Sequence, residues 1–342
     1  MKNILITGGL GFIGSNFIIY FMNKYKDYNI INLDLLTYAG DKENLKEIED
    51  SKHYQFIKGD IRDRDLVESI FKKYKINGVI NFAAESHVDN SISNPDVFIK
   101  TNVEGTFVLL DVAKKFWLKE PFVYIDEYIG SRFHHISTDE VYGSLGDSGL
   151  FREDTPYAPN SPYSASKASS DMLVRSYHHT YGLNTIITNC SNNYGEKQHD
   201  EKLIPTIIRC ALSEKNIPIY GDGKNIRDWL YVLDHCRGID LAFHNGNSGE
   251  NYNIGGRNEK DNLYIVNKVC ELLDEFSPRE NNKSYKELIS FVKDRAGHDR
   301  RYAIDATKIE NELGWLAQEN FDSGIIKTVK WYLKKYKKED KK

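Results

Sequence analysis

Cysteines are scarce in this chain, and their spacing argues against the sites that cysteines usually build. The 342 residues contain four, none of them in a C-x-x-C pair: Cys190, Cys210, Cys236 and Cys270. Zinc sites need closely spaced ligands, and disulfide frameworks are typical of short secreted chains. Two adjacent histidine pairs lack a helical i,i+4 partner for a metal: His134-His135 and His178-His179. We therefore expect no metal and a reducing compartment.

The chain also lacks a strong charge of either sign and an unbroken apolar run. Its formal net charge is −4 with 28% charged residues, which gives no reason to expect a nucleic-acid partner. The uncharged stretch at residues 4–21 is interrupted by four glycines and has no small-residue cleavage site. A strand, a turn and a helix explain it better than a membrane span or signal peptide does. We expect a cytoplasmic protein without a membrane segment.

Those glycines indicate a dinucleotide site. Lys2–Thr7 is typical of a buried parallel strand, and Gly8-Gly9-Leu10-Gly11-Phe12-Ile13-Gly14 then leads into a helix. Glycines let the backbone approach a pyrophosphate, and the N–H groups at the helix start favour phosphates. A second strand, Asn29–Leu33, ends in Asp34, twenty residues after Gly14, where an acid accepts the adenosine ribose hydroxyls. An acid there favours NAD over NADP, because a 2′-phosphate would meet like charge.

Strands and helices alternate through the first half of the chain. Six strands are predicted: Lys2–Thr7, Asn29–Leu33, Tyr54–Lys58, Gly78–Phe82, Arg132–Thr138 and Thr185–Asn189. Sites in such sheets lie at the carboxyl ends of the strands. There Asp60 could hold the adenine amino group, and the small Ala83-Ala84 pair leaves room for a cofactor. The fold class is α/β, a doubly wound parallel Rossmann sheet over residues 1–190 that carries the catalytic residues.

From residue 191 the alternation weakens. We predict a smaller mixed α/β domain over residues 191–342, which mainly binds the substrate. The boundary is approximate, and some segments can return to the first domain. Its predicted elements are a short strand near Asn251–Gly256 and helices at Leu263–Leu273, Tyr285–Phe291 and Gly324–Tyr332. Aromatic and basic residues in its loops, such as Arg227-Asp228-Trp229, suggest a ligand with a base and phosphates.

Two short motifs supply an unusually full set of proton-transfer groups. Thr138, Asp139 and Glu140 lie where the fifth predicted strand ends, and Tyr163 and Lys167 are one helical turn apart on one face. Tyrosine is a poor base because its reference pKa is about 10, but an ammonium and an oxidised nicotinamide ring would lower that pKa. Tyr163 could then take a proton from a substrate hydroxyl held by Thr138 while hydride leaves the same carbon.

The two adjacent carboxylates have two possible explanations. Oxidation alone needs neither Asp139 nor Glu140. A ketone acidifies the hydrogen on the next carbon, so one carboxylate could remove that hydrogen while the other, protonated, helps a hydroxyl leave as water. Adjacent carboxylates also tend to split their pKa values. The alternative is a solvated acidic turn without a catalytic role, and the residues alone leave both explanations open.

Eight motifs in order carry a resemblance to a known family: Thr7–Gly14, Leu36–Gly40, Ala84–Asp89, Ser137–Gly143, Tyr163–Lys167, Ser191–Gly195, Arg227–Val232 and Gly297–Tyr302. Together they closely resemble the dTDP-glucose 4,6-dehydratases, a family of extended short-chain dehydrogenases/reductases, and the match runs essentially end to end. The glycine motif and the Tyr/Lys pair mark the superfamily. The Thr-Asp-Glu triplet separates the dehydratases from the related sugar-nucleotide epimerases.

The resemblance implies a cycle with no net redox change. It implies that Tyr163 accepts the O4 proton while hydride passes from C4 to tightly held NAD. Glu140 then takes the C5 proton, Asp139 protonates the departing C6 hydroxyl, and hydride returns to C6. The product is dTDP-4-keto-6-deoxyglucose, a precursor of rhamnose and other deoxysugars. The family forms homodimers through two helices, here those starting at Asn102 and Tyr163.

The resemblance also assigns binding residues by position. Contacts with NAD are expected from Gly8, Gly11, Phe12, Ile13, Gly14, Asp34, Leu35, Leu36, Thr37, Asp60, Ile61, Ala83, Ala84, Glu85, Thr101, Tyr163, Lys167 and Asn193. Contacts with the nucleotide sugar are expected from Ser86, Thr138, Asn192, Lys202, Leu203, Pro218, Tyr220, Arg227, Asn262, Arg295 and His298.

Three segments depart from the family pattern. Glu196–Asp200 stands where the family usually has prolines and aromatics, which could change affinity or nucleobase preference. Ala296 replaces a usual proline, and Lys119–Gly130 differs in what we expect to be surface. The alternative functions are a dehydratase acting on another nucleotide sugar, a sugar-nucleotide 4-epimerase, and a non-catalytic NAD-binding regulator. The last two have no need of Asp139 and Glu140.

Overall fold

A computed structural model describes residues 1–294 and 299–339. Its strands are β1 Lys2–Thr7, β2 Tyr28–Asp34, β3 Tyr54–Lys58, β4 Gly78–Asn81, β5 Leu118–Glu120, β6 Val123–Tyr124, β7 Arg132–Thr138, β8 Thr185–Cys190, β9 Asn192–Tyr194, β10 Ile217–Tyr220, β11 Ile226–Tyr231, β12 Asn251–Ile254, β13 Glu259–Asp261 and β14 Ile289–Val292. Its α-helices are α1 Phe12–Lys24, α2 Arg64–Tyr74, α3 Val88–Ser93, α4 Pro95–Phe98, α5 Gly105–Trp117, α6 Pro162–Tyr181, α7 Leu203–Leu212, α8 Val232–Asn245, α9 Asn262–Phe276, α10 Thr307–Leu313 and α11 Phe321–Glu339.

A seven-stranded parallel sheet dominates the described part of the chain. Its strand order is β12-β8-β7-β4-β1-β2-β3, so the order reverses beside β1. All six strands predicted from the sequence are present in it, and the Rossmann fold class is confirmed. Because the strands are parallel, their carboxyl ends share one edge, and the loops that follow β1, β4 and β7 meet there.

The two faces of this sheet carry separate apolar cores. Ile4, Ile6 and Ile80 pack on one face with α1 and α8, whereas Leu5 and Val79 pack on the other with α2, α5 and α6. Side chains alternate along a strand, so neighbouring residues of one strand serve both cores. These strands are buried on both faces, which is why they appear in the sequence as continuous apolar runs.

The seventh strand comes from the second half of the chain. Asn251–Ile254 pairs in parallel with β8, and α8 packs on α1. The remaining strands of that half form small sheets, β10-β14 and β13-β11-β9. They lie over a third apolar core that includes Ile207, Val269 and Phe321. Segments beyond residue 190 therefore return to the large sheet, and the boundary at that residue stays a prediction.

Two helix predictions were wrong in detail. Tyr285–Phe291 is not a helix: a 3₁₀ turn covers Tyr285–Leu288, and Ile289–Val292 is a strand that pairs with β10. The apolar and β-branched residues of this segment can pack in an edge strand as well as on one face of a helix. The helix predicted from Asn102 begins inside a π-helical segment, Ile99–Glu104, that continues into α5.

No helix within the described residues is both long and apolar enough to cross a membrane.

Candidate active site

The turn after β1 forms a cradle that only glycine fits. Gly8 has φ +67°, and a Cβ built there would lie 2.7 Å from the backbone nitrogen of Ala83. A Cβ on Gly14 would collide with the carbonyl oxygen of Gly8. Gly11 precedes α1 and has no side chain with which to cap the helix, so the first N–H groups of α1 face the cleft. This cradle fits a dinucleotide pyrophosphate.

Two acids follow the neighbouring strands. Asp34 accepts hydrogen bonds from the backbone N–H of Leu10 at 2.9 Å and of Leu36 at 2.7 Å, and burial raises its pKa. Each carboxylate oxygen keeps a second lone pair, so ribose hydroxyls can still bind. Asp60 is paired with the Arg62 guanidinium through two nitrogens, at 2.9 and 2.6 Å. Any adenine amino group would therefore share Asp60 with Arg62.

One cleft of about 340 Å³ gathers most of the predicted site residues. All five predicted catalytic residues line it. So do the predicted NAD-binding residues except Leu36, together with four of the predicted substrate-binding residues: Ser86, Thr138, Asn192 and Lys202. Segments that are far apart in sequence therefore converge at the carboxyl edge of the sheet.

The other predicted residues lie elsewhere. Leu36 does not line the cleft; it has φ +58° and donates its backbone N–H to Asp34. Arg227 lies near Asp139, whose pKa it lowers, and stacks 4.3 Å from the Tyr302 ring. Four further residues do not line the cleft: Leu203, Pro218, Tyr220 and Asn262. Arg295, Ala296 and His298 fall outside the described residues.

Local structure explains how the catalytic side chains are placed. The β7 strand ends at Thr138, whose hydroxyl accepts a hydrogen bond from the N–H of Glu140 at 3.3 Å and starts a 3₁₀ turn. Helix α6 begins with a capping box between Ser161 and Ser164. Tyr163 therefore lies in its first turn, with Lys167 one turn further on the same face.

Lys167 is buried and held from behind. Its Nζ donates a hydrogen bond to the carbonyl oxygen of Ile136 at 2.7 Å and lies 3.2 Å from Nε2 of His135. Burial lowers the pKa of Lys167 to about 8, although the Asp171 carboxylate opposes that change. The ammonium is therefore present at neutral pH, at the inner wall of the cleft.

The pKa of Tyr163 differs from the sequence expectation. Burial, and then the charge of Glu140, raise it well above its usual value, while a hydrogen bond with Thr138 lowers it. Lys167 is not among the groups that chiefly set this pKa. The residues around Tyr163 thus favour the neutral phenol, because desolvation outweighs the nearby hydrogen bond.

The two adjacent carboxylates occupy different environments. Asp139 is 2% exposed, and burial together with the charge of Glu140 raises its pKa well above the usual range. Glu140 is half-buried and also lines the cleft. This is not a solvated acidic turn, since the buried carboxyl favours the protonated form beside a more accessible partner.

The cleft also has lining residues outside the two predicted contact lists, among them Gln198 and His199 of the divergent loop and Glu201 just after it. Tyr38 donates a hydrogen bond to Glu201 at 3.3 Å, and its ring meets the His199 ring edge-on at 5.4 Å. Lys197 reaches the carbonyl oxygen of Asn44 at 2.9 Å. The divergent loop thus contacts the segment after β2, at the NAD end of the cleft. Its departure from the family pattern was the available signal.

Comparisons with known proteins agree with this geometry. The family model described as GDP-mannose 4,6 dehydratase matches residues 5–328. A dTDP-glucose 4,6-dehydratase of Xanthomonas campestris pv. campestris (strain B100) is 51% identical and covers 97% of this chain and 93% of its own. The dTDP-glucose 4,6-dehydratase 1 of Escherichia coli (strain K12) is 53% identical, with coverage of 96% and 92%.

Solved structures of related enzymes are also similar to this chain. A crystal structure of dTDP-glucose 4,6-dehydratase from Bacillus anthracis in complex with NAD has a TM-score of 0.86 and 46% identity, with 98% of each chain covered. The dTDP-glucose 4,6-dehydratase of Streptomyces venezuelae, in a structure with NAD bound, has a TM-score of 0.87 and 43% identity over 97% of each chain. A UDP-glucose 4-epimerase from Thermotoga maritima has a TM-score of 0.84 at 29% identity, over 98% of this chain and 100% of its own.

Proposed function

Since the chain belongs to the GDP-mannose 4,6-dehydratase family, among the dTDP-glucose 4,6-dehydratases, we propose that its substrate is dTDP-glucose. The enzyme is an NAD-dependent hydro-lyase that forms dTDP-4-keto-6-deoxyglucose and water. The observation that carries this proposal is the buried Asp139 beside Glu140, in one cleft with Tyr163 and Lys167. An epimerase needs the last two residues but has no use for the acid pair.

Asp34 and the glycine cradle support NAD as the cofactor. When bound, NAD accepts hydride from C4 of the sugar and later returns it to C6. The cradle from Gly8 to Gly14 would hold the pyrophosphate, and Asp34 the adenosine ribose. The walls after β4, with Ala83 and Ala84, are small enough to admit the cofactor against the sheet.

Tyr163 is the base that removes the proton from O4. Its neighbours keep it neutral, so the charge of an oxidised nicotinamide ring is needed to stabilise the phenolate. The Thr138 hydroxyl assists when its single hydrogen turns from Asp139 to Tyr163. Thr138 also holds the substrate hydroxyl. Lys167, fixed by Ile136 and buried, supplies positive charge at the inner wall.

Glu140 and Asp139 perform the elimination. Once C4 is a ketone, the C5 hydrogen is acidic, and Glu140 takes it as a proton. Asp139, protonated because of its burial, gives its proton to the C6 hydroxyl, which departs as water. Hydride addition at C6 and return of the proton from Glu140 to C5 complete the product, so the sugar loses one water without net oxidation.

The nucleotide end of the substrate binds beyond the acid pair. Lys202 lines the cleft, and Arg227 lies near Asp139. Arginine and lysine are suited to a diphosphate, and the aromatic rings nearby, such as Tyr302, are suited to packing. Ser86 and Asn192, which also line the cleft, provide further polar contacts.

The active form is a cytoplasmic homodimer. Exposed apolar side chains lie along the segment from α3 to α6, and they are the kind of residues that a subunit interface buries: Ile92, Ile99, Phe107 and Met172. Helices α5 and α6 would form that interface in a symmetric pair. Light scattering at micromolar concentration should give twice the chain mass of 39.5 kDa.

The decisive experiment is incubation with dTDP-glucose, without added reductant, followed by mass analysis. Loss of one water without net NADH accumulation is the expected result. An isomer of unchanged mass would instead identify an epimerase, and no change would lead to tests of other nucleotide sugars. Tyr163→Phe is the matched control, since it removes one oxygen atom and should suppress the formation of enzyme-bound NADH.

A further inference from the structure

The buried side of Lys167 faces a histidine and an acid with no part in the mechanism above. Nε2 of His135 lies 3.2 Å from Nζ of Lys167 and 3.5 Å from Oδ1 of Asp171. His135 is 1% exposed and Asp171 is fully buried. Neither is among the described residues that line the cleft. His135 therefore lies between the ammonium and a carboxylate that substrate cannot reach.

Hydrogen bonds on the far side of His135 determine its tautomer. The Thr7 hydroxyl accepts a hydrogen bond from the N–H of Ala83 at 3.2 Å and so donates its own hydrogen to Oδ1 of Asn81 at 2.6 Å. The amide nitrogen of Asn81 then donates to Nδ1 of His135 at 3.1 Å. The proton of His135 is consequently on Nε2, and the acceptor within reach is Asp171.

Asp171 is arranged to be an anion. Its Oδ2 accepts hydrogen bonds from Ser137 at 2.8 Å, Tyr157 at 3.0 Å and Asn189 at 3.4 Å. Its Oδ1 has no hydrogen-bond partner among the described residues and lies 3.5 Å from Nε2 of His135. Several donors around one buried carboxyl stabilise its charged form.

The groups around Lys167 come from three elements. His135 lies on β7, Tyr163 and Asp171 lie on α6, and Cys190 lies on β8. Burial lowers the pKa of His135 and raises those of Tyr163 and Cys190, so these three are neutral at pH 7. Burial raises the pKa of Asp171 only to about 6. Asp171 is thus the anion that balances the Lys167 ammonium.

We propose that Asp171 is a positioning residue for Lys167: it supplies the buried negative charge that keeps the ammonium in a dry site, and His135 fills the space between the two groups. The inference rests on the proposed function, because its readout is oxidation of the sugar at C4. Removing the negative charge makes the ammonium easier to deprotonate, so activity that depends on the ammonium is lost at lower pH.

The test is the pH profile of enzyme-bound NADH formation in a single turnover with dTDP-glucose, for the parent and Asp171→Asn. The alkaline limb should move to lower pH by about one to three units in the variant, with KM nearly unchanged, because an opposite charge this close shifts a pKa by that amount. An unmoved limb in a folded variant would overturn the proposal. Tyr157→Phe is the control, since it removes one donor but keeps the charge, and its alkaline limb should match the parent.

A second measurement separates action through Lys167 from general damage. In a Lys167→Met background, Asp171→Asn should cause no further loss, whereas independent effects would add and contradict the proposal. If the amide variant does not fold, Asp171→Ser removes the same charge and leaves room for water. Unfolding of both would assign Asp171 to stability and overturn the inference. If the parent oxidises only another nucleotide sugar, the proposed substrate is wrong, and the same profiles are measured with that sugar.

Discussion

The hydroxyl of Thr138 donates a hydrogen bond to Oδ1 of Asp139 at 3.4 Å, while Oδ2 of the same carboxyl is buried without a hydrogen-bond partner among the described residues. One oxygen atom of Asp139 is thereby oriented, and the other is left to carry the acidic proton. Asp139 lines the cleft, and its burial favours the protonated carboxyl there. The arrangement stabilises a neutral acid next to a strand end.

Asp139→Asn should stop the enzyme after oxidation. The amide keeps the shape of the side chain but has no acidic proton for the C6 hydroxyl, so elimination should slow by about 10²–10⁴-fold. Enzyme-bound NADH should then accumulate in a single turnover, which its absorbance measures. A variant that releases the 4-keto-6-deoxy product at the parent rate would show that Asp139 is not the acid.

Glu140→Gln should also keep C4 oxidation but block elimination at the C5 proton. The difference from the previous variant is visible in deuterated water: Asp139→Asn should still exchange the C5 hydrogen, and Glu140→Gln should not. Mass analysis of recovered sugar nucleotide gives the answer. Equal exchange in both variants would contradict the assignment of Glu140 as the base.

The rate of C4 oxidation should decline above about pH 8. Burial lowers the pKa of Lys167 to about 8, so its ammonium is complete well below that pH and is lost as the pH rises through it. The single-turnover rate constant should fall by about tenfold per pH unit beyond the midpoint. Lys167→Arg keeps its charge at these pH values and is the control. A parent profile that is flat up to pH 10 would mean that the ammonium does not assist oxidation.

Two glycine substitutions should separate cofactor binding from folding. A Cβ on Gly11 would have Gly8 O at 3.3 Å as its nearest neighbour, whereas a Cβ on Gly14 would collide with the same oxygen. Gly11→Ala should leave Tm close to the parent but reduce bound NAD, because Gly11 lines the cleft where the pyrophosphate would bind. Gly14→Ala should lower Tm even with excess NAD. Equal Tm losses in both would refute this distinction.

The divergent loop should affect retention of NAD more than choice of nucleobase. His199 packs edge-on against Tyr38, and Lys197 contacts Asn44, so the loop is tied to the segment after β2. His199→Ala should speed NAD release several-fold while the ratio of kcat/KM for dTDP-glucose and UDP-glucose stays constant. Tyr336→Phe, which removes a hydrogen bond from α11 to Asp200 at the end of the same loop, is the control. A changed ratio with unchanged release would restore the nucleobase explanation.

The large sheet and its glycine cradle were predictable because their signals are local. A strand buried on both faces needs a continuous apolar run, and the turn after β1 needs glycine at Gly8, where φ is positive. The strand β12 was harder to place. Asn251–Ile254 is short and half polar. Its own residue pattern does not indicate that it pairs with β8, and the packing of α8 decided that pairing.

The sequence by itself determined which chemical groups this protein has: the glycine turn, the acid after β2, the Thr-Asp-Glu triplet and the Tyr/Lys pair. Tertiary structure alone decided their charge states. Burial raises the pKa of Asp139 and opposes the phenolate of Tyr163, and it brings His135 and Asp171 behind Lys167 from different elements. Spacing along the chain carries no information on desolvation or on contacts between distant segments, and a pKa depends on both.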